Sequence, residues 1–311
     1  MNDWEQGLIE KLTLQASKEQ VRHRRWGIFF KFLTFAYITL ILVVYLPSDM
    51  QMDVDGDEDH TAVIDINGVI SAKEEASADN IISGLRDAFE DEHTKGIILR
   101  INSPGGSPVQ SGYVNREINR LREKYPDIPV YAVIADLCAS GGYFIASAAQ
   151  EIYADKASLV GSIGVLMQTF GVSTAMEKLG IDRRLYTAGE NKGFMDPFSP
   201  EKESDVAFAK VLLGELHQQF IDAVKNGRGD RLKPDPQLFS GLIWSGETAL
   251  KMGLIDAIGS ASYVAREIIG VEETVDFTHK QSVLDQFAEH LGAGAAKALA
   301  YVPAIMGPQL Q

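Results

Sequence analysis

The chain has 311 residues, 45% of them hydrophobic and 23% charged, a composition that excludes a disordered, collagenous or low-complexity protein. It holds 29 Lys and Arg against 43 Asp and Glu, a net charge of −14. That balance argues against a general nucleic-acid binder, because phosphate contacts need clustered cations. Cys138 is the single cysteine, which excludes an internal disulfide and a cysteine-rich zinc or iron–sulfur site.

The charge is unevenly placed. Residues 1–46 carry a net +2 and the remainder a net −16. Between them, Gly27 to Leu46 reads GIFFKFLTFAYITLILVVYL, twenty residues that as a helix would span roughly 30 Å, one bilayer core. Arg22, His23, Arg24 and Arg25 precede it, and Asp49, Asp53, Asp55, Asp57, Glu58 and Asp59 follow it. The excess of positive charge on the N-terminal side predicts a single-pass anchor with the N-terminus in the cytoplasm and the rest outside. PSDMQMDVD after Leu46 offers no small-x-small cleavage site, which argues against a removed signal peptide. The expected order is a cytoplasmic segment 1–26, an anchor 27–46, an acidic linker 47–60, a folded domain 61–277 and a helical tail 278–311 that includes LGAGAAKALAYVPAIM.

From Thr61 the pattern alternates between strand-like and helix-like segments. Val63, Ile64 and Ile66 form a short apolar run ending at the turn signal Asn67-Gly68. Ser77–Glu90 is helical, with Ile81, Ile82, Leu85 and Phe89 on one face. Gly96–Ile101 is a buried strand, Val109–Lys124 a helix, Val130–Ala135 a strand, Gly141–Ala149 a helix of small residues, and Glu151–Ala154 and Leu159–Leu166 are extended. A Gly/Asn/Pro-rich loop, Ala188–Pro200, leads into a long helix, Glu201–Asn226. Short helices near Glu247–Met252 and beyond Asp256 precede a last strand near Val271–Asp276. Alternation of this kind predicts an α/β domain with mostly parallel strands.

Three loops carry candidate chemistry. Asn102-Ser103-Pro104-Gly105-Gly106-Ser107 follows a strand and precedes a helix, so its paired glycines can present bare N–H groups, or simply make a turn. Ala139-Ser140-Gly141-Gly142 opens the small-residue helix. Ser140 there is either an ordinary N-cap or a nucleophile whose helix N-terminus faces a developing oxyanion. Gly189-Glu190-Asn191-Lys192-Gly193 places a lysine in a flexible loop. Lys192 is either a solvated charge or a general base for Ser140, a role that needs a desolvated pocket. A Ser-His-Asp triad is the competing arrangement, but none of the six histidines lies in a loop beside a motif; His217, for example, falls inside the long helix. No HExxH or closely spaced His/Asp set suggests a metal, and no cofactor is expected.

The order NSPGGS, ASGGYFIASAA, GSIGV at Gly161–Val165 and GENKGFMDP resembles the signal peptide peptidase A family in its short, single-repeat form, over about Ala62 to Glu267. The resemblance implies a Clp-protease/crotonase-like α/β fold of repeated β-β-α units behind an N-terminal transmembrane helix. It makes Ser140 the nucleophile, Lys192 the general base, and the backbone N–H groups of Gly106 and Gly141 the oxyanion hole. Ser162 becomes the hydroxyl that orients the lysine. The implied activity is a membrane-anchored serine endopeptidase that cuts signal-peptide remnants and other hydrophobic or unfolded peptides outside the bacterial cytoplasmic (inner) membrane. Its implied assembly is a homo-oligomeric ring. Two other readings stand beside this one: an inactive membrane scaffold that binds peptides, and an acyl-CoA enzyme of the crotonase type. Cys138 reads as a packing residue.

Overall fold

The computed structural model describes residues 24–40 and 58–279, together with Trp4 and Arg22. Residues 24–40 (α1) are helical, and the Trp26 and Phe30 rings stack 5.7 Å apart. Among the described residues no helix is long and apolar enough to cross a membrane. The expected anchor runs on from Leu40 to residues 41–46, which lie outside the described ones, as do most of the linker and the tail beyond His279.

The candidate motifs sit in a unit running from Gly56 to Lys280. Its first strand, β1 (His60–Ile70), buries Ala62, Ile64 and Ile66 on one face and Val63 on the other. A strand covered on both sides has to be apolar nearly throughout, as parallel strands are. β2 (Thr94–Gly106) pairs with it in parallel, and β3 (Val130–Ala139) pairs in parallel with β2. With β4 (Glu151–Ala154), β5 (Leu159–Gly161), β6 (Ile243–Ser245), β7 (Ala257–Ile258) and β8 (Thr274–Asp276) they form one sheet ordered β6-β5-β3-β2-β1-β8, and β4 joins β3 to β7. Every pairing is parallel except β5 with β6. The chain is therefore the α/β protein that its alternating pattern predicts.

The larger core lies where α2 (Ala78–Glu90), α3 (Pro108–Lys124), α4 (Gly141–Ala146) and α6 (Glu203–Arg228) cover one face of the sheet. There Leu85, Phe89, Ile118, Tyr143 and Val224 pack on Ile64, Leu99 and Ile134. The other face carries a smaller cluster of Val63, Ile98, Val133 and Tyr153 under Val264 and Ala265. Between α4 and α6 lies α5 (Ser173–Lys178), and after β6 comes α7 (Gly246–Met252).

Three strand ends differ from expectation, each because of a distant partner. Asn67-Gly68 does not end β1: the strand passes through with a register break, Gly68 at φ 78°, and Val69 and Ile70 pair with Gly105 and Gly106. The glycine serves a bulge here, where it would otherwise mark a turn. β2 accordingly extends across NSPGG, where the sequence pattern predicts a loop. β3 continues four residues beyond Ala135 by changing neighbours, Tyr131–Ile134 facing β4 and Leu137–Ala139 facing β5. β8 closes the sheet beside β1: Thr61 N–H donates to Glu273 O at 2.8 Å, and Phe277 N–H to Val63 O at 2.8 Å.

Two polar clusters hold helices to this frame. The Arg228 side chain is wholly buried; it donates to Asp256 at 2.6 and 2.9 Å and twice to Gly253 O at 3.0 Å, while Asp256 also accepts Ile152 N–H at 2.7 Å. Removing Asp256 strands the buried Arg228 charge, so Asp256→Ala lowers the unfolding free energy by about 3–5 kcal/mol, read from denaturant melts; Arg228→Ala costs less, because Asp256 keeps Arg231 at 3.3 Å. On α3, Glu117 accepts from Arg86 at 2.7 Å and from Arg120 at 2.8 Å. Arg120 first, and then Arg86, hold its carboxyl down at about 2 against the opposing effect of burial. The stabilisation is complete above the ordinary glutamate value and disappears as the pH falls through about 2. Glu117→Gln thus costs about 1 kcal/mol at neutral pH, reduced by salt screening at two half-exposed arginines. Melts at decreasing pH show the variant and the parent converging.

Candidate active site

Ser140 stands where β3 hands over to α4. Its backbone is held at φ 51°, ψ −121°, its N–H donates to Gly161 O at 2.9 Å, and its carbonyl accepts Phe144 N–H at 2.9 Å. A left-handed conformation at a non-glycine residue costs stability and persists only where its surroundings impose it. Four other described helices also start behind a serine: Ser77, Ser107, Ser245 and Ser260 each turn the side chain onto a backbone N–H of the first turn. Ser140 makes no such bond. The capping role therefore fails for this residue, and its hydroxyl remains available at the helix start.

The NSPGG strand end presses against this corner. Ser103 Oγ donates to Gly68 O at 2.6 Å and accepts Gly105 N–H at 3.1 Å, fastening the segment to the bulge in β1. Gly105 is at φ 96°, and a β-carbon there would lie 2.7 Å from Ala139 O, from Gly141 N and from Ser140 Cβ. A β-carbon on Gly141 would lie 2.4 Å from Ser111 Oγ and 3.2 Å from Gly106 N. Only glycine lets the two backbones approach this closely.

A cleft of about 740 Å³ opens at the junction, and Gly106, Ser111, Ser140, Gly141, Ser162 and His217 are among the residues that line it. Four residues singled out in the sequence, Ser140, Gly141, Gly106 and Ser162, thus come together. Ser162 is also left-handed, at φ 51°, and its N–H donates to Leu242 O at 2.7 Å. Phe144, Val165, Leu166, Leu216 and Phe220 give the cleft an apolar wall, and Arg116 is the one Lys, Arg, Asp or Glu that lines it.

Lys192 is not brought to this cleft. It is exposed, in a turn closed by its N–H on Gly189 O at 3.1 Å, and the turn is packed through Phe194 against Phe208 of α6. His217 and Ser111 are there instead, and neither stood out in the sequence. His217 Nε2 lies 3.1 Å from Ile163 O. Its position is three residues before buried Phe220 and so on the inward face of α6 with Val224 and Arg228, a helical stripe that the spacing of α6 contains. Ser111 lies one turn into α3, on the buried face with Val114, Asn115 and Ile118. Cys138 is fully buried, with burial pushing its thiol well above the ordinary range, so it is a packing residue and not a nucleophile. Among the described residues no group of three or more His, Cys, Asp or Glu is placed to hold a metal.

Residues 122–272, from late α3 to just short of β8, match Peptidase family S49. A Brucella abortus chain with the name Na(+)/H(+) antiporter NhaA is 46% identical over 186 residues, but the match covers 60% of this chain and only 25% of that one. A putative signal peptide peptidase SppA of Enterococcus faecium is 30% identical over 204 residues, 63% of this chain and 59% of its own. A putative protease of Methanocaldococcus jannaschii is 34% identical over 179 residues, 58% of this chain and 57% of its own. The match spans a quarter of the first relative and a little over half of the other two.

Proposed function

This chain belongs to peptidase family S49, and from that premise we propose that it is a serine endopeptidase with the Ser140 hydroxyl as nucleophile. The observation that carries the reading is the strained Ser140 backbone with its hydroxyl left out of helix capping. In the proposed reaction Ser140 Oγ attacks the peptide carbonyl while a base removes its proton. The backbone N–H groups of Gly106 and Gly141 receive the developing oxyanion. The protonated base then returns its proton to the leaving amine, and water hydrolyses the acyl-enzyme. The experiment is hydrolysis of a fluorogenic peptide with small or apolar residues before the cut, comparing the full chain with its Ser140→Ala variant.

Lys192 is proposed as the base, delivered from a neighbouring copy of this chain, with Ser162 orienting its amine. Two features support this. Lys192 is absent from the cleft of its own chain, and the segment around it exposes Leu166 (82%), Phe170 (74%), Leu179 (74%) and Tyr186 (88%). Apolar exposure on that scale marks an association surface, and a closed ring of identical copies repeats one such contact without leaving an open end. Within the proposal the fold is of the Clp-protease/crotonase type, residues 27–46 anchor the chain in the inner membrane, and the domain faces outward. There it meets signal-peptide remnants and other hydrophobic peptides. The apolar wall of the cleft and the similarity to the putative signal peptide peptidase of Enterococcus faecium support that substrate class.

A second reading rests on His217, which lines the Ser140 cleft where Lys192 does not. In it the imidazole is the base and one copy suffices. The inactive-scaffold and acyl-CoA readings gain no comparable observation.

A further inference from the structure

The Ser111 hydroxyl has no place in the chemistry described so far. Ser111 is 0% exposed and lines the Ser140 cleft, yet its Oγ has no hydrogen-bond partner in the protein. Among the described residues Trp244 Nε1 is the only other buried side-chain polar atom in that condition. A serine in a helix ordinarily relieves itself by bonding the carbonyl one turn back. Here Ser107 O receives the Ser111 N–H at 3.1 Å, and the Ser111 hydroxyl does not join it. An unpaired buried hydroxyl costs stability, so its retention at this spot calls for a partner that arrives with a ligand.

Its location identifies the partner. Ser111 Oγ lies 2.4 Å, and Gly106 N lies 3.2 Å, from the point that a Gly141 β-carbon would occupy. The hydroxyl and the Gly106 amide nitrogen thus both lie against Gly141, whose own N–H is the other donor proposed for the oxyanion hole. A group that meets those N–H groups is a carbonyl oxygen gaining negative charge. A hydroxyl can rotate its proton toward that charge when it develops.

We propose that Ser111 is a further catalytic residue, whose Oγ–H donates to the oxyanion of the scissile carbonyl as a third member of the hole formed with Gly106 and Gly141. This rests on the reading of Ser140 as nucleophile. It also accounts for glycine at 141, since any side chain there would displace the donor. The interaction strengthens as charge accumulates, so Ser111 acts on the chemical step and leaves ground-state binding nearly untouched.

The test uses the full chain and two probes. A fluorophosphonate places a phosphoryl oxygen in the hole when it modifies the nucleophile, whatever the natural substrate. A fluorogenic apolar peptide reports kcat and KM separately. Ser111→Ala is expected to slow both fluorophosphonate labelling of Ser140 and peptide kcat by about 10- to 100-fold, with KM within about two-fold of the parent. Ser111→Cys, nearly isosteric with a weaker donor, falls between the two. Equal labelling rates in parent and Ser111→Ala protein, or a loss confined to KM, overturn the assignment. So does a loss accompanied by a lowered melting temperature or a dissociated oligomer, which would make Ser111 a packing residue. If the parent itself is not labelled at Ser140, the nucleophile reading fails first and the Ser111 proposal goes with it.

Discussion

Ser140→Ala is expected to reduce peptide hydrolysis by about 10⁴-fold or more while the protein stays folded and assembled. The size follows from chemistry: without the hydroxyl there is no acyl-enzyme, and binding with the oxyanion donors supplies only residual catalysis. The intact fold follows from geometry, because the Ser140 hydroxyl caps no helix and its removal leaves no orphan. The same backbone angles give a sharper companion result. At φ 51° a β-carbon is strained, so Ser140→Gly should be equally inactive yet more stable than the parent by about 1 kcal/mol. A parent and an alanine variant with equal hydrolysis rates would remove Ser140 from the chemistry. A glycine variant that melts lower would mean that the corner is not strained by its side chain.

Lys192→Ala should be as inactive as Ser140→Ala, and mixing the two inactive proteins should restore activity. When a lysine serves the serine of the next copy, a site is whole wherever a Lys192→Ala chain lends its serine to a Ser140→Ala chain's lysine. Random reassembly of equal amounts makes about a quarter of the sites whole. Recovery of that order, absent when the subunits cannot exchange, places the dyad across an interface. Two dead variants that stay dead on mixing would put the lysine on its own chain's serine, by a movement of the 189–196 turn. Activity that survives Lys192→Ala but not His217→Ala would transfer the base to His217, which already lines the cleft.

The strands were legible in the sequence wherever burial on both faces makes them continuously apolar, as in GIILRI and VYAVIA. Their ends were not, because an end is decided by a neighbour that lies tens of residues away. Val69 and Ile70 remain in β1 because Gly105 and Gly106 run beside them; Leu137–Ala139 remain in β3 because Leu159–Gly161 do. The grouping of Ser140, Gly141, Gly106 and Ser162 came from the resemblance that their motifs make jointly, since each loop alone left an ordinary turn or cap open. Ser111 and His217 were silent. Each is a single polar residue on the buried face of a helix, and nothing local distinguishes a side chain that meets a cleft from one that meets a core. Lys192 was legible as a motif but not as a place, because the loop that carries it is positioned by packing on α6.

The pairing of β8 with β1 carries a consequence for how the chain is made. Asp65 N–H bonds Thr278 Oγ1 across 213 positions of sequence, so the first of the described strands to emerge is covered along its outer edge by the last of them. At ~5–20 residues per second the ribosome leaves that edge bare for roughly 10 to 40 seconds. Throughout that interval a row of unpaired amides, backed by Ala62, Val63 and Ile64, is open to any other nascent strand. The three residues Thr274–Asp276 add little to the core, but they end the period in which a newborn chain can join its neighbours edge to edge.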